Sequence, residues 1–557
     1  MTLIVFHSIK NNTFKQIHMK KIIITAAIIL AGSFPLMANI TLQGLFTDNM
    51  VLQRDQPIRV FGFGDDGEHV VVDLDGKTAE CVVKDGYWLA ELPAMKAGGP
   101  FILKIKGNHQ SFTLKNVVIG DVWVCGGQSN MGATLWTLMT AADGKYKKEF
   151  KDVASYRNAN IRMFRTNEKV TDTLQEDINT KGGWGPSFGA KWLECTPQNL
   201  LYFSAIGYFF GKALQPEVNV PIGLLSNCVG GTPAESYMSL DELNKLPEAK
   251  PYIEYFDQAL KEYPQAIKKY DQEMKAWNEC NKQGLKGDAL GKQPEKPWGP
   301  DCVYRPAVLY NTMVYPLRNF SIKGVIWYQG ETNAKRANEY TKLFSSLIQN
   351  WRDTWKQGDF PFYYVQLAAF QDDLFAWCRE AQDPVRKIVK NTGMVTSADW
   401  GVSDDVHPPY KKVVGQRLAA LALHQTYGRK EVPCFSPEMA NVRFDDRKVI
   451  VTFEHVGAGL KAIDRVLNEY GPKQYHLSAD KVGGFVLCGA DQKFYPAEAR
   501  IVSTNEIELT SEQVLAPTAV RYAFAGFPLV NLYNDYGWPA LPFKTDAAKS
   551  PITRWAP

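Results

Sequence analysis

The sequence predicts an α/β protein, a parallel sheet with helices on both faces, flanked on each side by a β-sandwich-like module. Three observations lead there. Residues 116–430 alternate short apolar strands with helical patterns. Residues 39–115 are short alternating strands broken by Asp-Gly and Gly-Gly-Pro turns, and from 431 to 557 strands return.

The first 38 residues stand apart. Met19-Lys20-Lys21 precedes the apolar run Ile22 to Ala31, and Leu36-Met37-Ala38 offers small-residue cleavage before Asn39, the layout of a secretory signal with Met19 as the true start. The apolar run is too short for a comfortable membrane span, and no other window approaches one. The expectation is an exported protein, periplasmic or extracellular, with no integral membrane span in the mature chain.

In the amino-terminal module the expected strands are Ile58–Gly62, Val70–Leu74, Cys81–Val83, Trp88–Leu92 and Phe101–Ile105, with turns at Asp75-Gly76 and Asp85-Gly86. No cluster of acids or histidines occurs there, so it reads as scaffold or as a wall of a substrate groove. The middle region offers strands at Val117–Ile119, Asp121–Val124, Ile161–Phe164, Ile222–Leu225, Val325–Tyr328 and Phe362–Leu367. Leu201–Leu214 carries a helical apolar face, and a second helix is expected to begin at Arg417. Between about 240 and 302 lies a charged insertion, read as a helical hairpin with a solvated face on the rim. The carboxy-terminal module offers Val449–Phe453, Phe485–Leu487, Ile501–Val502, Ile507–Leu509 and Val520–Phe524.

Composition narrows the chemistry. A net charge of +4 over 557 residues, without a basic patch interleaved with aromatics, gives no reason to expect nucleic acid. Aromatics make up 12% of the chain, including 14 Trp, which in an exported protein fits sugar-stacking surfaces and large cores alike. Nine cysteines without a Cys-x-x-Cys pair give neither a disulfide framework nor a zinc knuckle. No phosphate loop or metal-ligand spacing is present, so neither cofactor nor metal is expected.

One stretch organises the middle region. In Val124-Cys125-Gly126-Gly127-Gln128-Ser129-Asn130-Met131 a strand empties into two glycines and a serine, placing a hydroxyl at the edge where open α/β sheets bind ligands. A serine nucleophile needs a base. His407, in Asp404-Asp405-Val406-His407-Pro408, is the histidine preceded by acids and followed by Pro. Between these stretches stand Asn227-Cys228-Val229-Gly230-Gly231-Thr232 and Trp327-Tyr328-Gln329-Gly330-Glu331-Thr332-Asn333.

This ordered set of four blocks resembles the SGNH hydrolases and, within them, the sialate O-acetylesterase family, over a resemblance running from about Ile40 to the carboxy terminus. It implies a three-layer, flavodoxin-like SGNH core at 116–430, with the 431–557 module packed on that core. It implies Ser129 as nucleophile, His407 as base, and an oxyanion hole built from the Ser129 N–H, a glycine N–H at Gly230 or Gly231, and a side-chain amide. Gln329 aligns with that amide and Asn333 is the alternative. The orienting acid is Asp404 by Asp-x-x-His spacing or Asp405 by the Asp-Val-His-Pro pattern. Asp404 is slightly preferred, because three-residue spacing lets a side chain fold back to the ring. The implied function is carbohydrate O-acetyl ester hydrolysis, with sialic acid acetylated on its glycerol tail as the favoured substrate. Acetyl-xylan or another plant polysaccharide is the alternative, and a non-catalytic carbohydrate-binding protein on a hydrolase fold the second.

Overall fold

The computed structural model of the chain describes residues 39–181 and 190–551; the expected signal segment 1–38 lies outside them. The fold is mixed α/β, organised by one long strand, β1 (Ser111–Gly127). Its first half pairs antiparallel with Gly98–Lys106 and parallel with Val51–Gln53. Its second half enters a sheet with β2 (Asn158–Arg165), β3 (Leu193–Cys195), β4 (Ile222–Cys228), β5 (Gly324–Tyr328), β6 (Phe362–Gln366) and β7 (Thr392–Thr396). The boundary expected at 115/116 therefore falls inside one unbroken strand. Asn116, at φ 57°, sits at that point, in the left-handed conformation that Asn adopts more readily than most residues.

The spatial order is β3-β2-β4-β1-β5-β6-β7. All neighbours are parallel except the edge strand β3, which runs antiparallel to β2. The sequence explains the burial: Val122, Trp123, Val124 and Cys125 are fully buried, as strands covered on both faces require. From β1 the chain fills β2 and β4 on one side, then crosses to β5 on the other. The strand order thus reverses at β1, and the crevice beyond its carboxyl end is the position where ligands bind in such sheets.

Helices follow the strands. β1 runs into a single turn, α1 (Ser129–Gly132), and then α2 (Leu135–Thr140), capped at its start by Thr134. Helix α3 (Ala205–Val218) is the expected covering helix, displaced four residues along the chain because Ser204 caps its first turn. In the insertion, α4 (Lys250–Lys282) is a single long helix followed by an extended return, not a hairpin of two helices. Proline and glycine at Gly284, Gly287, Gly291, Pro294 and Pro297 deny the return a helical run. Helix α4 is anchored at its start, where Tyr252 and Phe256 are buried, and Phe256 meets Trp298 edge-on. Then come α5 (Ala337–Trp355), α6 (Leu374–Gln382) and α7 (Lys411–Gln425). Helix α7 starts six residues before the expected Arg417, one residue after Pro408-Pro409, a pair that lacks two backbone donors and disfavours helical conformation in the residue before each proline.

The carboxy-terminal strands form two four-stranded antiparallel sheets and smaller pairs around their own core of Val449, Val451, Phe453, Leu487, Leu509 and Val520. They are tied to the central region through Asp399, fully buried, which accepts both guanidinium nitrogens of Arg417 at 2.7 and 2.8 Å. Arg465 and the Tyr533 hydroxyl reach the same carboxylate at 3.2 and 2.7 Å. Among the described residues, no helix is long and apolar enough to cross a membrane.

Candidate active site

Gly127 shapes the turn at the end of β1. Its φ is +132°, and a Cβ there would lie 2.1 Å from the Tyr328 carbonyl oxygen, so only glycine fits against β5. The chain then turns at Gln128 and delivers Ser129 as the first residue of α1. From the other end of the sheet, the loop after β7 brings His407 to it, and His407 Nε2 stands 2.8 Å from Ser129 Oγ. At that distance a neutral imidazole can take the hydroxyl proton. Burial, and then the nearby Lys411 ammonium, push the His407 pKa below its usual value, with Asp405 opposing them.

The structure separates the two acids. Asp404 is exposed and makes no hydrogen bond to the ring. Asp405 Oδ1 accepts the His407 backbone N–H at 2.8 Å and lies 4.0 Å from His407 Nδ1. Its other oxygen accepts the Tyr146 hydroxyl at 2.5 Å. The slight preference for Asp404 is therefore corrected. It rested on three-residue spacing folding a side chain back to the ring, whereas the turn at 402–405, closed by Asp405 N–H to Val402 O at 3.2 Å, leaves Asp404 exposed.

The two glycines also part company. Gly230 lines the cavity above Ser129, and a Cβ built on it would sit 3.5 Å from that of Ser129. Gly231 turns away toward Tyr304 and gives its carbonyl to the Thr332 hydroxyl at 2.8 Å. Among the described residues, the N–H groups of Ser129 and Gly230 donate to no carbonyl or side chain, so both are free for an oxyanion.

Neither proposed amide serves that role. Gln329 is fully buried, donates to the Thr232 carbonyl at 3.2 Å and to Asn333 Oδ1 at 2.7 Å, and accepts the Tyr340 hydroxyl at 2.8 Å. Asn333, equally buried, accepts the Ala234 N–H at 3.0 Å and donates to Glu235 at 3.0 Å. These bonds clamp the second block to the third, and neither residue lines the cavity. Block spacing could not reveal this, since a buried amide spends its donors wherever the packed backbone leaves acceptors.

Several groups were not singled out from the sequence. Asn130 donates to Glu331 at 2.6 Å and to the Val406 carbonyl at 2.9 Å, and its own oxygen accepts the Lys411 ammonium. One side chain thus links the nucleophile turn, the third block and the histidine loop. Lys411 is 1% exposed, and burial pushes its pKa down to about 7 against the pull of Glu331 and Asp405. Burial likewise raises that of Glu331.

The cavity above Ser129 measures about 560 Å³. One wall is aromatic: Trp136, 47% exposed, leans on Tyr202 with ring centroids 5.9 Å apart. Arg165 and Glu168 add charge to the lining, and Cys228, its thiol pushed up to about 12 by burial, lines it passively. Among the described residues, one group of metal-ligand type, Glu438, Glu454 and His455, brings its atoms within 4.8 Å of one another. None of the three lines the cavity, and Glu438 is already paired with Arg386.

A family model described as carbohydrate esterase, sialic acid-specific acetylesterase, matches residues 270–424, a stretch holding the third block and His407 but not Ser129. Sialate O-acetylesterase of Mus musculus is 29% identical over 539 residues, covering 87% of this chain and 89% of that protein. The Homo sapiens protein of the same name is 27% identical over 529 residues, 86% and 87% of the two chains. A carbohydrate acetylesterase from Xanthomonas citri, known by crystal structure, is 32% identical with a TM-score of 0.72, and the match covers 92% of this chain and all of that one. The chain belongs to the sialate O-acetylesterase family of carbohydrate esterases. In this esterase the four blocks thus converge on one crevice, with the second and third braced together behind the serine.

Proposed function

We propose that the esterase is an exported hydrolase that removes acetyl groups from sialic acid through an acetyl-serine intermediate. The observation that carries the chemistry is the 2.8 Å contact between Ser129 Oγ and His407 Nε2 at the floor of an accessible cavity. Ser129 Oγ attacks the ester carbonyl as His407 takes its proton. The carbonyl oxygen, now anionic, receives the N–H groups of Ser129 and Gly230. The tetrahedral species collapses, His407 returns the proton to the departing sugar oxygen, and the acetyl group stays on Ser129. Water, deprotonated by His407, attacks that acyl group and releases acetate. Asp405 favours the transient imidazolium, and Tyr146 fixes the carboxylate.

The sugar side of the reading rests on the cavity wall. Trp136 presents an exposed aromatic face beside the nucleophile, a surface suited to the apolar face of a sugar ring. The parallel strands reversing at β1 support an SGNH-type core for 116–430, flanked by modules at 39–115 and 431–557. The layout of residues 1–38 supports export to the periplasm or beyond, which amino-terminal sequencing of the mature protein checks.

The test is acetate release from sialic acid acetylated on its glycerol tail, measured against acetyl-xylan. The reading expects cleavage of the sialate and its loss in Ser129→Ala; cleavage of xylan alone would overturn the substrate.

A further inference from the structure

Arg165 is the last residue of β2, at the same carboxyl edge as Ser129, and its side chain lines the same cavity. Its guanidinium has no ion pair or hydrogen bond among the described residues, and its Nη1 is buried without a partner. This is unusual in a chain whose other deeply placed arginines are engaged: Arg417 and Arg465 hold Asp399, and Arg336 holds Glu235. Glu168 lines the cavity too and pulls on the Arg165 charge through space, but among the described residues no ion pair joins the two. Burial lowers the Arg165 pKa, and the weaker pull of Cys228 and Glu168 does not restore it, the mark of a charge held away from water and only partly compensated. Leaving a desolvated guanidinium unpaired is costly, and an arriving anion removes that cost.

Building on the carbohydrate esterase reading, we infer that Arg165 forms an anion subsite of the substrate cavity, selecting acetylated sugars that carry a carboxylate over neutral ones. The sheet sets the spacing. β2 and β1 are separated by β4 alone, with Arg165 in register with Ser226 and Ser226 with Cys125. Two interstrand steps place Arg165 about 10 Å to the side of the nucleophile strand. That is comparable with the separation of a glycerol-tail ester from the carboxylate at the anomeric end of a nonulosonic acid. Trp136 and Tyr202 line the same cavity and supply the surface for the ring. A guanidinium fork matches a carboxylate with two parallel hydrogen bonds, whereas an esterified carboxyl offers only weak neutral acceptors.

The experiment is calorimetric binding of N-acetylneuraminic acid, its methyl ester and glucuronic acid to the Ser129→Ala protein, with and without Arg165→Gln and Arg165→Lys. The expected result is that the free acid binds about 10- to 100-fold more tightly than its methyl ester, and that Arg165→Gln brings this ratio close to one while Arg165→Lys retains part of it. A merely structural role would weaken acid and ester alike and leave the ratio intact. Equal binding of acid and ester to Ser129→Ala, or an unchanged ratio in Arg165→Gln, would overturn the subsite. Comparable affinity for glucuronic acid would assign it to sugar carboxylates in general. Because binding is read without turnover, failure of the subsite is distinguishable from failure of the esterase reading, which would appear as undiminished acetate release by Ser129→Ala.

Discussion

Asp405 holds His407 by its backbone as well as by its charge: one carboxylate oxygen accepts the histidine N–H at 2.8 Å and stands 4.0 Å from the ring Nδ1. The acid thus fixes the loop that carries the base and stabilises the imidazolium across a gap slightly longer than a hydrogen bond. Such gaps commonly tighten when substrate binds.

Asp405→Asn should therefore lower kcat by about 10²- to 10⁴-fold, because an amide cannot stabilise the imidazolium. Asp404→Asn should stay within about twofold of the parent, as expected of an exposed side chain away from the ring. Steady-state kinetics on the purified variants checks both. Equal losses would remove Asp405 from its role.

The pH profile tests the neighbours of His407. Catalysis needs the neutral imidazole, so activity rises as pH increases through the His407 pKa, which burial and Lys411 hold below the usual value. In that range Lys411, with a pKa of about 7, is cationic and disfavours a second positive charge. Lys411→Met should move the acidic limb of kcat/KM to higher pH. Asp405→Asn, which removes the group opposing the shift, should move it to lower pH. Shifts in the same direction for both variants would contradict this electrostatic account.

Gln329 and Asn333 brace the site from behind. Gln329→Ala strands the Thr232 carbonyl and takes one partner each from Asn333 Oδ1 and the Tyr340 hydroxyl, and should cost about 1 to 3 kcal/mol in denaturant unfolding. Its kcat should fall by less than the roughly 100-fold that marks loss of an oxyanion donor. A drop of that size with unchanged stability would restore Gln329 to the oxyanion hole.

These outcomes bear on what the residues alone could disclose. Ser129 and His407 were legible because each sits in a short local pattern whose chemistry demands its neighbours: glycines that permit the turn, acids and proline that fix a loop. Most strands of the central sheet were legible as apolar runs, although β3, Leu193–Cys195, escaped notice because it is only three residues long, and β7, Thr392–Thr396, because Gly393 and two threonines dilute its pattern. Asp404 and Asp405 could not be told apart, since side-chain direction in 402–405 depends on a turn with no distinctive composition. Lys411, Arg165 and Tyr146 were invisible for a related reason. A charged or phenolic residue at an element's end looks solvated until the packing around it is known.

The ion-pair cluster joining the carboxy-terminal module to the core gives a stability prediction. Asp399→Ala leaves Arg417 and Arg465 buried without their carboxylate and should cost about 3 to 5 kcal/mol, read from the chemical unfolding midpoint. A change below about 1 kcal/mol would mean that water reaches both guanidinium groups.

The most direct test of the central claim is mass spectrometry of the enzyme quenched during turnover of an acetylated sialic acid. The account predicts an acetyl group on the peptide containing Ser129, and neither the adduct nor acetate release in a folded Ser129→Ala protein. Acetate release by that variant at the parent rate, or an acetyl group on another residue, would contradict it.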